Sequence, residues 1–89
     1  MSKYKIKILK SAKKDILRIQ QHKTLKIKVE LLLDIISQNP YQTPPTYEKL
    51  SGNLQGSISR RINKQHRLIY EVREYEKIIA IFSMWTHYE

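Results

Sequence analysis

No cysteine occurs among the 89 residues, which excludes both a disulfide framework and a thiolate metal site. Cohesion must come from packing. Acid is scarce as well: 8 Asp and Glu stand against 17 Lys and Arg, for a net charge of +9. A field of that sign attracts polyanions and speeds their encounter. Nucleic acid is the commonest such partner, with membrane surfaces and acidic proteins behind it, and a solubilising lysine coat is the alternative for charge alone. Long apolar runs are missing too. The longest, residues 78–82 extended by Met84 and Trp85, is far too short to span a bilayer. The opening MSKYKIKILK alternates charge with apolar side chains and lacks the continuous apolar core of a signal peptide, so no membrane partner and a cytoplasmic location are expected.

What is present fits one small folded domain over residues 1–89, with 40% hydrophobic and 28% charged residues. Tyr4, Ile6 and Ile8 alternate with Lys3, Lys5 and Lys7, the pattern of a half-buried strand with a lysine face suited to a sheet edge. Ser11 is a candidate helix N-cap before Ala12, Ile16 and Ile19, and Thr24 a second one before the stripe Leu25, Val29, Leu32, Leu33 and Ile36. The prolines, Pro40, Pro44 and Pro45, stop helix over residues 39–46, and Gly52 and Gly56 supply bends. Three strands follow at residues 57–62, 67–72 and 77–85, joined as hairpins; the last, apolar on both faces, should be interior. The expected fold is α+β: an N-terminal strand, two antiparallel helices on one face of a twisted antiparallel sheet, and a C-terminal three-strand meander. The other face is left free to be concave and basic.

The chemically capable side chains concentrate in the stretch EKLSGNLQGSISRRINKQHRLIY, residues 48–70. Strand parity separates its adjacent arginines: Arg60 shares a face with Ile58 and Ile62, whereas Arg61 joins Ser57 and Ser59. Polar company favours Arg61 for a cleft. In the next strand Arg67 points away from Leu68, Tyr70 and Val72. If Arg61 opposes Arg67, both guanidinium groups project from one face, a register that needs an odd loop or a bulge. Two like charges side by side are unfavourable unless an anion sits between them. The competing reading makes both solvated hairpin charges.

Glu48 is the only acid between Ile35 and Ile69. A carboxylate facing a basic cleft can accept a proton from a ribose 2′-hydroxyl; otherwise it is an exposed loop glutamate. Lys49 is either a phosphate contact or a solvated charge. His87 can donate a proton to a leaving oxygen, and Trp85 and Tyr88 beside it offer aromatic surface for anchoring or base stacking. His22 reads as surface and His66 as a turn residue. The three histidines lack ligand spacing, so no metal site and no cofactor are expected.

The segment EKLSGNLQGSISRRINKQHRLIYEV, together with the ending THY, closely resembles the YoeB/Txe toxins, within the RelE superfamily of ribosome-dependent mRNA interferases. The likeness is strong over residues 47–72 and at the chain end, and across the helices it extends only to the order of elements. It implies an RNase fold, endonucleolytic cleavage of mRNA in the ribosomal A site, and neutralisation by a YefM-like antitoxin. Homodimer and monomer both stay open. By the same resemblance Glu48 corresponds to the general base, His87 to the general acid and Arg67 to the arginine that stabilises the reacting phosphate. Arg61 and Tyr88 correspond to supporting RNA contacts. Two departures bear on this. Ser51 stands where the family often has a lysine, whose phosphate role would pass to Lys49, and Thr86 stands where tyrosine commonly precedes the final His-Tyr. A non-catalytic nucleic-acid-binding module or an antitoxin-binding adaptor with the same basic face is the rival expectation.

Overall fold

The computed structural model describes residues 3–85. Five strands form one sheet in the order β1-β5-β4-β3-β2: β1 (Lys5–Ile8), β2 (Glu48–Lys49), β3 (Ile58–Arg61), β4 (Arg67–Arg73) and β5 (Ile78–Ser83). Between β1 and β2 run a short 3-10 turn, Lys10–Ala12, and the helices α1 (Lys13–Gln20) and α2 (Lys23–Gln38). No helix among the described residues is long and apolar enough to cross a membrane.

The α+β architecture with both helices on one sheet face is as expected, with one correction to the wholly antiparallel sheet. The meander β3–β4–β5 is antiparallel, but β1 pairs with β5 in parallel, Ile6 opposite Ile79 and Ile8 opposite Ile81. Parallel neighbours require a long connection, which the helices and the proline segment supply. β1 lies at the edge with Lys5 and Lys7 exposed, and β5 is interior with Ile79, Ala80 and Ile81 all buried. The two-residue β2 was not foreseen.

The helix caps also differ from expectation. Ser11 falls inside the 3-10 turn, and its hydroxyl donates to the Phe82 carbonyl at 2.8 Å, joining the start of the helical layer to β5. Thr24 lies within α2, whose N-cap position is His22 with no side-chain capping bond. The stripe on α2 does bury Val29, Leu32 and Ile36, which meet Ile19 of α1 and Ile58, Leu68, Tyr70, Ile79 and Ile81 of the sheet. At roughly 1.5–3 kcal/mol for each large apolar side chain removed from water, this layer is the main source of stability.

Two polar devices fasten segments onto that core. Asp15, fully buried in the first turn of α1, accepts the Met84 amide at 3.1 Å and ties the helix to the chain beyond β5. Arg60, also fully buried, holds the proline segment. Its guanidinium donates to the carbonyls of Pro45 (2.7 Å), Gln42 (2.9 Å) and Pro40 (3.0 Å) and to the Tyr70 hydroxyl (2.9 Å), and its carbon lies 4.9 Å from the Tyr47 ring centroid. A buried cation is tolerated only when such partners replace water. The Tyr70 hydroxyl in turn donates to the Pro40 carbonyl at 2.7 Å, and burial raises the tyrosine's pKa against the opposing pull of Arg60.

Glu74, in the β4–β5 turn, makes a further tie. Its carboxylate accepts Tyr41 at 2.6 Å and Tyr4 at 2.8 Å, so the proline segment and the N-terminal strand region share one anchor. The Tyr41 bond, followed by that from Tyr4, lowers the pKa of Glu74 below the ordinary carboxylate value. Conversely the bond to Glu74 raises Tyr4, and burial followed by the same carboxylate raises Tyr41.

Candidate active site

Register determines which side chains share the face opposite the helices. Glu48 pairs with Ser59, Ser59 with Ile69, and Ile69 with Ser83, so these four form a row across the sheet. One step along, Arg61 pairs with Arg67. Because neighbours two apart on a strand share a face, Glu48, Ser59, Arg61 and Arg67 all project from the same side. Thr46 and Tyr47 complete the wall, and the six line a cleft of about 320 Å³. That volume lies at the small end for ligand sites.

The Arg61–Arg67 pairing depends on the hairpin. The Ile62 amide donates to the His66 carbonyl at 2.9 Å, leaving a loop of residues 63–65, the odd loop that this register requires. Asn63 shapes it: the side-chain oxygen accepts the amides of Gln65 (2.9 Å) and His66 (2.7 Å). Arg67 then donates through Nη1 to the carbonyl of Asn63 at 3.1 Å, with His66's carbonyl at 3.4 Å. One edge of the guanidinium is thereby held by the loop backbone, which restricts its orientation before any ligand arrives.

Glu48 arrives by a different route. The anchored proline segment leads into β2, where Lys49 pairs with Ile58, and the Leu50 amide donates to the Ser57 carbonyl at 2.9 Å. Beyond it the chain turns at Gly52 and Gly56, whose φ values of 70° and 90° favour glycine. Among the described residues no ion pair occupies the cleft; Arg73–Glu71 and Lys77–Glu74 lie elsewhere. Two guanidinium groups and one carboxylate therefore share a solvent-open recess, a charge pattern suited to a phosphodiester with a polar group beside it.

The structure thus brings together Glu48, Arg61 and Arg67, and it does not bring Lys49 to them. Pairing with Ile58 turns Lys49 toward the helix side of the sheet edge, outside the cleft lining. His87 and Tyr88 lie outside the described residues. Sequence reasoning missed Tyr47 and Ser59 as cleft walls, although Ser59 was legible from its parity with Arg61. It also missed Arg60 as the clamp behind Tyr47, whose backbone-carbonyl partners carry no sequence signature. Among the described residues no three of His, Cys, Asp and Glu gather as metal ligands would.

Comparison with known proteins places these features in context. Residues 9–88 match the family model described as the YoeB-like toxin of bacterial type II toxin–antitoxin systems. A curated Toxin YoeB from Synechocystis is 36% identical over 70 residues, which are 79% of this chain and 79% of that protein. Among solved structures, the YoeB–YefM complex from Staphylococcus aureus matches with a TM-score of 0.83 at 37% identity, covering 96% of this chain and 98% of that one. A YoeB dimer from the same organism matches at 0.80 and 35% identity, over 98% of this chain and 100% of that one. A YoeB/ParE toxin from Agrobacterium tumefaciens matches at 0.85 and 25% identity, over 94% and 99%.

Proposed function

Since the chain belongs to the family of YoeB-like toxins of bacterial type II toxin–antitoxin systems, we propose that it is an endoribonuclease cleaving mRNA in the ribosomal A site. The observation that carries this reading is the shared cleft, in which a lone carboxylate, Glu48, stands beside the paired guanidinium groups of Arg61 and Arg67. A surface that only bound RNA would gain nothing from a carboxylate among its phosphate contacts.

The reaction needs four tasks. Glu48 removes the proton from a ribose 2′-hydroxyl, and that oxygen attacks the adjacent phosphorus. Arg67, already oriented by the Asn63 carbonyl, stabilises the charge growing on the non-bridging oxygens, and Arg61 supports it from the neighbouring strand. His87 protonates the departing 5′ oxygen, and Tyr88 contacts the RNA beside it. The P–O5′ bond breaks as the P–O2′ bond forms, giving a 2′,3′-cyclic phosphate and a 5′-hydroxyl. The nucleophile belongs to the substrate, so the scheme requires no metal and no cofactor. Lys49 would contribute only longer-range attraction, given its side of the sheet.

By analogy with the solved YoeB–YefM complex and YoeB dimer, the proposed partners are a YefM-like antitoxin and a second copy of the chain. Induction should arrest growth unless the antitoxin is co-produced. Mapping mRNA 5′ ends after induction should then show new ends within translated codons, absent with Glu48→Gln. Growth arrest without new ends would replace the nuclease with a binding module.

A further inference from the structure

Trp85, the chain's single tryptophan, is the last described residue and lies against two histidine rings and an arginine. The His66 ring lies 4.1 Å from it, centroid to centroid, inclined at 31°. His22 lies 5.6 Å away at 37°, and the Arg18 guanidinium carbon sits 5.6 Å from the indole centroid. His66 is only 4% exposed, although it closes a hairpin loop. Its amide is held by Asn63 and its carbonyl by the Ile62 amide, so the ring is mounted on a fixed backbone. The residue before Trp85, Met84, is fully buried and bonded through its amide to Asp15. Two successive residues beyond β5 are thus anchored.

Sequence adjacency gives the stack its significance. His66 immediately precedes Arg67, and Trp85 stands two residues before His87. We infer that His66 is a positioning residue for cleavage: by stacking on Trp85 it couples the hairpin that presents Arg67 to the point from which the final residues continue. The inference rests on the nuclease reading above. The role rests on the ring face that lies against Trp85, which links the Arg67 hairpin to the chain beyond β5. Misplacement by an ångström can cost about 100-fold in rate, so loosening this junction should be felt in turnover.

The test compares the full-length wild type with His66→Ala, His66→Phe, Trp85→Leu and Glu48→Gln on ribosomes carrying a labelled mRNA. His66→Ala should lower kcat by about 10- to 100-fold while KM stays within about twofold, the signature of lost transition-state geometry. His66→Phe keeps a ring against the indole and should restore kcat to within about threefold of wild type. The sole tryptophan reports the stack directly: acrylamide quenching should increase in His66→Ala and remain near wild type in His66→Phe. If His66→Ala folds poorly, Trp85→Leu removes the other partner and should show the same loss of kcat. Unchanged kcat in either stack-breaking variant would overturn the inference. So would failure of His66→Phe to rescue turnover when its quenching matches wild type, or a change confined to KM. Loss of cleavage in Glu48→Gln alone would leave the nuclease reading standing and the stacking role refuted. Full activity in Glu48→Gln would refute the base assignment and the scheme on which the inference depends.

Discussion

Arg60 and Arg61 are neighbours in β3, carry the same side chain, and sit in opposite environments. Arg60 faces the helical layer, is fully buried, and spends its hydrogen bonds on three loop carbonyls and a tyrosine hydroxyl. Arg61 is exposed and faces Arg67 across the open side of the sheet. The strand's alternation alone makes this division. It gives one arginine to holding the segment that leads to Glu48 and sets the other at the open cleft, where the proposed scheme has it meet the phosphate. Scaffold and site are therefore two faces of one strand, and substitutions can separate them.

The largest effect is expected on the open face. Glu48→Gln should reduce cleavage by about 10²- to 10⁴-fold, the usual contribution of a positioned general base, and Arg67→Ala by about 10²- to 10³-fold. Thermal melting should move little for Glu48→Gln, because surface changes of this kind usually stay within about 0.5 kcal/mol. The next effect belongs to the covered face. Arg60→Ala removes the donor shared by the Pro40, Gln42 and Pro45 carbonyls and leaves a cavity where a fully buried side chain stood; it should cost about 3 kcal/mol, a fall in Tm on the order of 12–24 °C for a domain of this size. Arg60→Lys should recover only part of that, since an ammonium cannot reproduce the planar fork that reaches several carbonyls. Arg61→Ala should show the converse pattern, about a tenfold loss of cleavage with Tm nearly unchanged, when turnover and melting are measured on the same preparation.

The smallest expected effect concerns Glu74, which helps Arg60 to hold the proline segment. Its folded-state pKa is lowered by the bonds from Tyr41 and Tyr4, so its stabilisation is complete above the unfolded carboxylate pKa and is lost as pH falls through the lower folded value. Tyr4 and Tyr41 are shifted upward, so their share is lost at the alkaline end, as pH rises past the ordinary tyrosine value. Denaturant titrations across pH should show Glu74→Gln flattening the acid limb while leaving Arg61 chemistry untouched.

Much of this division was legible in the residues. Parity within residues 57–62 assigned Arg61 to the polar face, and the stripe on α2 identified the covered one. The antiparallel hairpin with an odd loop followed from asking Arg61 to meet Arg67. Other features were not accessible in this way. β2 has two residues, too few for any periodicity, and its orientation, which sends Glu48 inward and Lys49 away, exists only through pairing with β3. The parallel β1–β5 contact joins segments some 70 residues apart and depends on tertiary packing. Ser11 looked like a cap because serine suits that position, yet its hydroxyl found the Phe82 carbonyl instead. Arg60 gave no warning either, since its carbonyl partners stand 15 to 20 residues earlier and any residue type could supply them.

The central claim is that the open-face cleft uses the substrate's own 2′-hydroxyl as nucleophile. Replacing the single ribose at the mapped cleavage position with 2′-deoxyribose, in an mRNA otherwise unchanged and loaded on ribosomes, tests it directly. The account predicts that cleavage at that position disappears while the all-ribose control yields a 5′-hydroxyl and a cyclic phosphate. Continued cutting of the deoxy-substituted message at the same bond would contradict it.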